Sequence, residues 1–170
     1  GYPGPSAVEL DRGIVLNAMG LPNPGVEQFM KEMREMGGFA ALLMKHGTCG
    51  LTGGLVASGA TPVKNWRYTG KQSFPDLEKI ADADTVISYQ SRKYGCANCP
   101  IACGGIFNVT SGKFPVGETH KPEYETIGAF GTMCMCDNLE SIIKLNDMCN
   151  RSGLDTISAG TALAFAMECF

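Results

Sequence analysis

Apolar positions along most of this chain recur at helical spacing, and Gly, Pro and polar residues break them into segments. Gly13-Ile14-Val15-Leu16 predicts a short strand, Leu21-Pro22-Asn23-Pro24-Gly25 a loop, and Val26 to Met33 a helix. Phe39 to Lys45 predicts a further apolar helical piece. Gly47 to Gly59, with five glycines among Thr and Ser, predicts loop-like backbone able to approach a ligand closely. Ser73-Phe74-Pro75-Asp76 reads as the start of a helix capped by Ser73 and running to about Tyr94. Asp137-Asn138-Leu139-Glu140 reads as a capping box with Asp137 as the cap. The helix after it carries Leu139, Ile142, Ile143 and Met148 on one face, and Gly153 supplies the left-handed residue that ends it. Ser158 then caps a last helix whose Ala162, Leu163, Phe165, Ala166, Cys169 and Phe170 are apolar. No stop signal follows Phe170, which predicts a helix cut mid-turn and a chain truncated at its C-terminus. The pattern predicts a mainly α fold with a short irregular or strand-like N-terminal segment. It divides into an N-terminal segment over 1–36 and a helical domain over 37–170, with strands confined to the neighbourhoods of Leu16 and Phe107.

Composition sharpens this reading. A chain of 170 residues that is 44% apolar and 18% charged is long enough to build one core without disulfide staples. Fourteen basic against seventeen acidic side chains give a net charge of −3, scattered rather than clustered. That distribution offers no electrostatic footprint for nucleic acid or an anionic membrane. No apolar run is long enough for a membrane span, and no basic-then-apolar leader opens the chain. The first residue is Gly1 rather than Met, as in a processed or trimmed product. Eight cysteines are too sparse for a disulfide scaffold, so their usage predicts a reducing, cytoplasmic setting and a specific use for some of them.

That use is visible in Cys96-Ala97-Asn98-Cys99-Pro100-Ile101-Ala102-Cys103, which sets three thiols at C-x2-C-x3-C in one short loop. Soft thiolates this close together suit an iron–sulfur cluster or zinc; redox thiols or chance clustering are the alternatives. Neither His46 nor His120 stands at zinc-knuckle spacing from the loop. A cubane cluster needs a fourth ligand, and Cys49, Cys134, Cys136, Cys149 and Cys169 are spares, with Cys149 and Cys169 reading as small buried hydrophobes within helices. Downstream, Gly117-Glu118-Thr119-His120-Lys121-Pro122-Glu123-Tyr124-Glu125-Thr126 gathers three carboxylates and a His around a proline break. Such a carboxylate is either a general acid or base, if burial raises its pKa, or an ordinary first-turn residue facing the helix dipole.

Cys96 to Cys103, Lys121-Pro122-Glu123-Tyr124-Glu125, Leu145 to Cys149, Ser152 to Ser158 and the earlier Pro62-Val63-Lys64-Asn65-Trp66 occur in an order that resembles the middle, helical domain of the aldehyde ferredoxin oxidoreductases. These are tungsten- or molybdenum-pterin enzymes, and the resemblance runs from near Gly37 to Phe170. It implies that Cys96, Cys99 and Cys103 ligate a [4Fe–4S] cluster. It also implies that Glu125 lies beside the metal for acid–base work and that Gly153, Leu154 and Asp155 contact the pterin. Asn150 stands where the family's motif usually begins with Asp, which weakens but does not abolish the implied polar contact to the pterin. Lys144 and Asp147 stand where some members carry a Glu-x-x-His pair for an iron bridging two subunits, so that metal is not expected. The implied activity is oxidation of aldehydes to carboxylates, with electrons leaving through the cluster to ferredoxin. The family's N- and C-terminal domains, which hold much of the bis-pterin, a fourth cluster cysteine and a catalytic His, have no counterpart in this sequence and are expected partners.

A second resemblance is confined to the first 35 residues or so. Asn17-Ala18-Met19-Gly20-Leu21-Pro22-Asn23-Pro24-Gly25, with Val26 to Met33 after it, resembles the flavin-dependent dihydroorotate dehydrogenases. No barrel follows it, so it implies no flavin site in this chain. Three functions therefore stand as expectations: a fragment of a metal–pterin aldehyde oxidoreductase, a non-catalytic iron–sulfur or zinc module, and a fragment of a dihydroorotate dehydrogenase.

Overall fold

The computed structural model describes residues 31, 35, 37–96, 99 and 101–170. The strand expected at Gly13 to Leu16 and the Asn17–Gly25 loop lie outside them, and of the Val26–Met33 helix only Lys31 is described, in helical conformation. Helix α1, Gly38–His46, forms where the apolar piece predicts it, and Lys45 and His46 in its last turn face the negative pole of its dipole. The glycine-rich stretch after it is not a loop. It folds into a 3-10 turn, Thr48–Leu51, and helix α2, Thr52–Ala57. Cys49, Thr52 and Val56, spaced i, i+3 and i+7, are all fully buried, so packing of one face outweighs the poor helix propensity of Gly53 and Gly54.

Strands β1, Pro62–Val63, and β2, Tyr68–Thr69, pair antiparallel across a turn in which Lys64, Asn65 and Trp66 all have positive φ, at 49°, 47° and 67°. Backbone bonds to the π-turn region help hold that turn: the amides of Lys64 and Asn65 donate to the carbonyls of Thr132 and Met133, each at 3.0 Å. The single helix expected from Ser73 to about Tyr94 is replaced by three pieces. Ser73 ends a 3-10 turn, and its hydroxyl donates to the Thr69 carbonyl rather than capping a helix. Helices α3, Glu78–Ala81, and α4, Ala83–Ile87, are separated by Asp82, whose extended backbone and side-chain bond from the Thr85 amide start α4 afresh. Gln90–Tyr94 is strand β3.

Strand β3 pairs with β4, Gly104–Val109, and β4 with β5, Gly117–His120, in an antiparallel sheet of order β3-β4-β5. The registers place Tyr94 opposite Gly104 and Ile106 opposite His120. Central β4 is buried along nearly its whole length, and Phe107 leaves it to enter the main core with Val56, Ile80, Val86, Ile127, Ile142 and Ile143.

Three helical pieces follow the sheet. Helix α5, Tyr124–Ile127, continues into a π-turn, Gly128–Thr132. Helix α6, Leu139–Ser152, is capped by Asn138, whose side chain accepts from the Ser141 amide; the expected cap, Asp137, instead pairs with Lys79. Gly153, at φ 66°, ends α6 as predicted, and the Leu154 amide donates to the Cys149 carbonyl at 2.9 Å. Helix α7, Thr156–Cys169, is capped by Asp155 rather than Ser158: the Asp155 carboxylate accepts from the Ser158 amide at 2.6 Å. Only Gly160 and Ala164 of α7 are buried, leaving Leu163, Phe165 and Met167 outward. Helices dominate the described residues, so the fold is mainly α. None of these helices is long and apolar enough to cross a membrane.

Candidate functional site

The three clustered thiols sit on the connection from β3 to β4. Cys96 is exposed, Cys99 and Cys103 are half-buried, and none is in a disulfide. The connection folds back on itself: the Cys99 amide donates to the Cys96 carbonyl at 3.0 Å, and Ala102 takes a left-handed φ of 49°. Gly95 packs against Ala102 and the Cys99 carbonyl so closely that a Cβ would stand 3.1 Å from the Ala102 Cα. The ring of Tyr94 covers Gly104 on the neighbouring strand, and its hydroxyl bonds His120 Nδ1, 2.9 Å away. Both ends of the thiol loop are thereby fixed to the sheet.

Burial separates these thiols from the deeper ones. Cys49 has its pKa pushed up to about 11 by burial, and its Sγ donates to the His46 carbonyl. Burial likewise raises Cys134 to about 11 and raises Cys149. These are protonated structural thiols. Among the described residues no three His, Cys, Asp or Glu side chains converge on one point, as a single tetrahedral ion requires. A [4Fe–4S] cluster does not demand that convergence, because each of its irons takes a different thiolate. Three thiols on one anchored loop, one exposed and two half-buried, fit that group.

The anchor of the loop is Lys121, which motif reading passed over. Its side chain is 1% exposed, and its Nζ donates to the carbonyls of Cys103 and His46, both at 2.6 Å. Glu123 stands 3.7 Å from the same ammonium. Gly47 makes this possible: at φ 77° and ψ −165° it has no Cβ, and one placed there would overlap the Lys121 ammonium and lie 2.6 Å from the Cys103 carbonyl oxygen. Nothing in residue pattern distinguishes Gly47 from the other glycines of its run, or Lys121 from any lysine before a proline. The only signals were the place of Lys121 in the recognised Lys-Pro-Glu-Tyr-Glu segment and the place of Gly47 at the head of a glycine-rich stretch.

Lys121 opens the segment leading to the predicted catalytic carboxylate. Glu123 accepts from the amide and hydroxyl of Thr48, the Tyr124 amide donates to the Thr48 hydroxyl at 2.9 Å, and the Tyr124 hydroxyl bonds Thr61 at 2.9 Å. Glu125 lies on the next position, in the first turn of α5, and is exposed. One residue further, the hydroxyls of Thr126 and Thr156 meet at 2.8 Å. That bond joins the Glu125 turn to the start of α7, directly after Gly153, Leu154 and Asp155. The structure thus links the thiol loop, the Glu125 turn and the Gly-Leu-Asp segment through Lys121, Thr48 and the two threonines.

Asn150 is exposed in the last turn of α6, and Leu154 is 58% exposed. The Asp155 carboxyl is held below the usual carboxylate range by the hydroxyl and amide of Ser158, so it serves as a helix cap in this chain. Lys144 and Asp147 lie elsewhere, along an open groove of about 670 Å³ between α6 and the β4–β5 hairpin, which none of the predicted site residues lines. Burial there opposes ionisation of Asp147, but two bonds from Arg151 Nε, at 2.9 and 3.0 Å, outweigh it and hold the carboxyl low.

A family model described as aldehyde ferredoxin oxidoreductase, domains 2 and 3, matches residues 25–170. The tungsten-containing aldehyde ferredoxin oxidoreductase of Pyrococcus furiosus is 39% identical over 128 residues, 75% of this chain and 20% of that protein. The protein of the same name from Pyrococcus horikoshii is 34% identical over 145 residues, 85% of this chain and 22% of its own. The chain therefore spans about a fifth of the length of these relatives. Separately, the catalytic subunit of dihydroorotate dehydrogenase B (NAD(+)) from Pyrococcus abyssi is 57% identical over 35 residues, 21% of this chain and 11% of that protein.

Proposed function

Because the chain belongs to the aldehyde ferredoxin oxidoreductase family, we propose that it is the cluster-bearing part of a tungsten- or molybdenum-pterin enzyme. That enzyme oxidises aldehydes to carboxylates in the cytoplasm and passes the electrons to ferredoxin or a similar carrier. The observation that carries this reading is the pair of hydrogen bonds that Lys121 donates to the Cys103 and His46 carbonyls, which gives the thiol loop and the segment leading to Glu125 one common anchor.

Cys96, Cys99 and Cys103 bind the [4Fe–4S] cluster from the β3–β4 loop. Asn150, Gly153, Leu154 and Asp155 face the bis-pterin from the junction of α6 and α7, and the Thr126–Thr156 bond keeps that junction beside Glu125. When bound, the metal–pterin supplies two-electron chemistry and the cluster a one-electron exit. Glu125 holds and releases the proton that the oxidation liberates at the substrate. Its carboxylate makes no side-chain hydrogen bond among the described residues, which leaves it available for that exchange. The remaining domains of the longer relatives supply the other pterin contacts and enclose the site.

Anaerobic reconstitution of the chain with iron and sulfide tests the reading. A brown product with broad visible absorbance and close to four irons per chain is the expected result for this cluster type. Tungsten and molybdenum analysis of material purified with its partner domains then separates the enzyme part from a cluster module that binds no pterin. A colourless, iron-free product overturns the proposal.

A further inference from the structure

We propose that Lys121 is a positioning residue that also acts electrostatically, its buried ammonium fixing the Cys103 end of the thiol loop and raising the reduction potential of the cluster bound there. The inference rests on the cluster assignment made above. Its geometry is that of an ammonium buried beneath a ligand. The side chain is 1% exposed, and Nζ lies 2.6 Å from the carbonyl oxygen of Cys103 itself. By standard bond lengths that puts the charge within roughly 7 Å of the Cys103 sulfur. This is inside the Debye length of physiological salt, and burial reduces screening further.

Two features show that the fold is shaped around this cation. It reaches two carbonyls from different elements, His46 at the end of α1 and Cys103 before β4, and Gly47 is the residue whose missing side chain leaves space for it. Its counter-ion does not cancel it. The Glu123 carboxylate is 3.7 Å away and shares its other oxygen with Thr48, and it is 36% exposed, so solvent screens Glu123 more than Lys121. A cluster gains negative charge on reduction, so nearby positive charge favours the reduced form and net charge is one of the determinants of potential.

The test compares the reconstituted wild-type chain with Lys121→Gln and Glu123→Gln by iron and sulfide content, far-UV circular dichroism and an EPR-monitored reductive titration. Lys121→Gln keeps a donor for one carbonyl and removes the charge. Its potential is expected to fall below wild type, with iron content also reduced. Glu123→Gln removes the opposing charge and is expected to shift the potential upward with iron content unchanged. A role confined to folding moves neither potential. If both variants hold a full cluster at the wild-type potential, the inference is overturned while the cluster assignment stands. If Lys121→Gln does not fold, Glu123→Gln alone decides, and an unshifted potential overturns the inference. Failure of the wild-type chain to take up iron overturns the cluster assignment and the inference with it.

Discussion

Gly47→Ala isolates the arrangement around Lys121 in one methyl group. Two costs add. The backbone at φ 77° and ψ −165° lies in a region open essentially to glycine alone, and holding alanine there costs about 1–3 kcal/mol. The new Cβ would also overlap the Lys121 ammonium and stand 2.6 Å from the Cys103 carbonyl oxygen. A lysine tip can move, but this one is buried and held by two carbonyls, so moving it breaks charged hydrogen bonds worth about 1.5–3 kcal/mol each. Losing one gives a total of roughly 2.5–6 kcal/mol, a large share of the roughly 5–15 kcal/mol that typical domains possess. Urea unfolding of the metal-free chain measures the loss, and iron uptake measures the loosening of the thiol loop. Gly54→Ala is the matched control from the same glycine run. Its Cβ meets nothing within 4 Å in helix α2, so it should be neutral or stabilise by up to about 1 kcal/mol. The reasoning is refuted if Gly47→Ala costs less than about 1 kcal/mol, below even the backbone term, or if both alanines behave alike.

Cys99→Ser should lower iron content sharply, whereas Cys149→Ser should leave iron intact and cost about 1–2 kcal/mol for an imperfectly bonded buried hydroxyl; equal iron loss in both would contradict the ligand assignment. For Asp147, a folded pKa below the unfolded value means its stabilisation is present above the unfolded carboxylate pKa of about 3.9 and lost as pH falls through the folded value. Asp147→Asn should therefore be less stable than wild type in urea at neutral pH and converge with it as pH falls through the folded value of Asp147, and a difference that persists in acid would show that packing, not charge, is responsible. Gly160→Ala would press a methyl to 2.6 Å from the Ala129 Cβ and 2.9 Å from its carbonyl carbon, so α7 should shift at a cost of about 1–3 kcal/mol, measurable as a lower Tm.

Sequence pattern located α6 by its periodic apolar face, with Gly153 ending it, and α1 and α7 as continuous apolar segments. It missed where the face was made of less telling residues. Cys49, Thr52 and Val56 bury α2 and the turn before it, yet only Val56 is strongly apolar, so five glycines dominated the reading. Gln90 to Tyr94 is mostly exposed and polar, and as strand β3 it draws its order from pairing with β4, which no local window contains. The caps moved by a residue or more because Asp137 and Asn138, or Asp155 and Ser158, are equally competent, and backbone path chooses between them. For the site, the thiols and Glu125 stood out as motif positions, and Lys121 lay in the same segment as Glu125, but the anchoring by Lys121 and the need for glycine at position 47 were not legible. Their roles exist only where α1, the thiol loop and β5 meet.

The turn at Lys64, Asn65 and Trp66 fixes an order of events for a nascent chain. Three consecutive side-chain-bearing residues in left-handed conformation cost roughly 1–2 kcal/mol each. The groups that offset this, the Thr132 and Met133 carbonyls, lie at the end of a π-turn translated much later, and Asn65 also bonds Glu168 near the end of α7. Residues 62–69 thus leave the ribosome early and settle late. Until those later residues arrive they have no reason to hold their final shape, and the hairpin works as a clasp that closes only once the π-turn is in place.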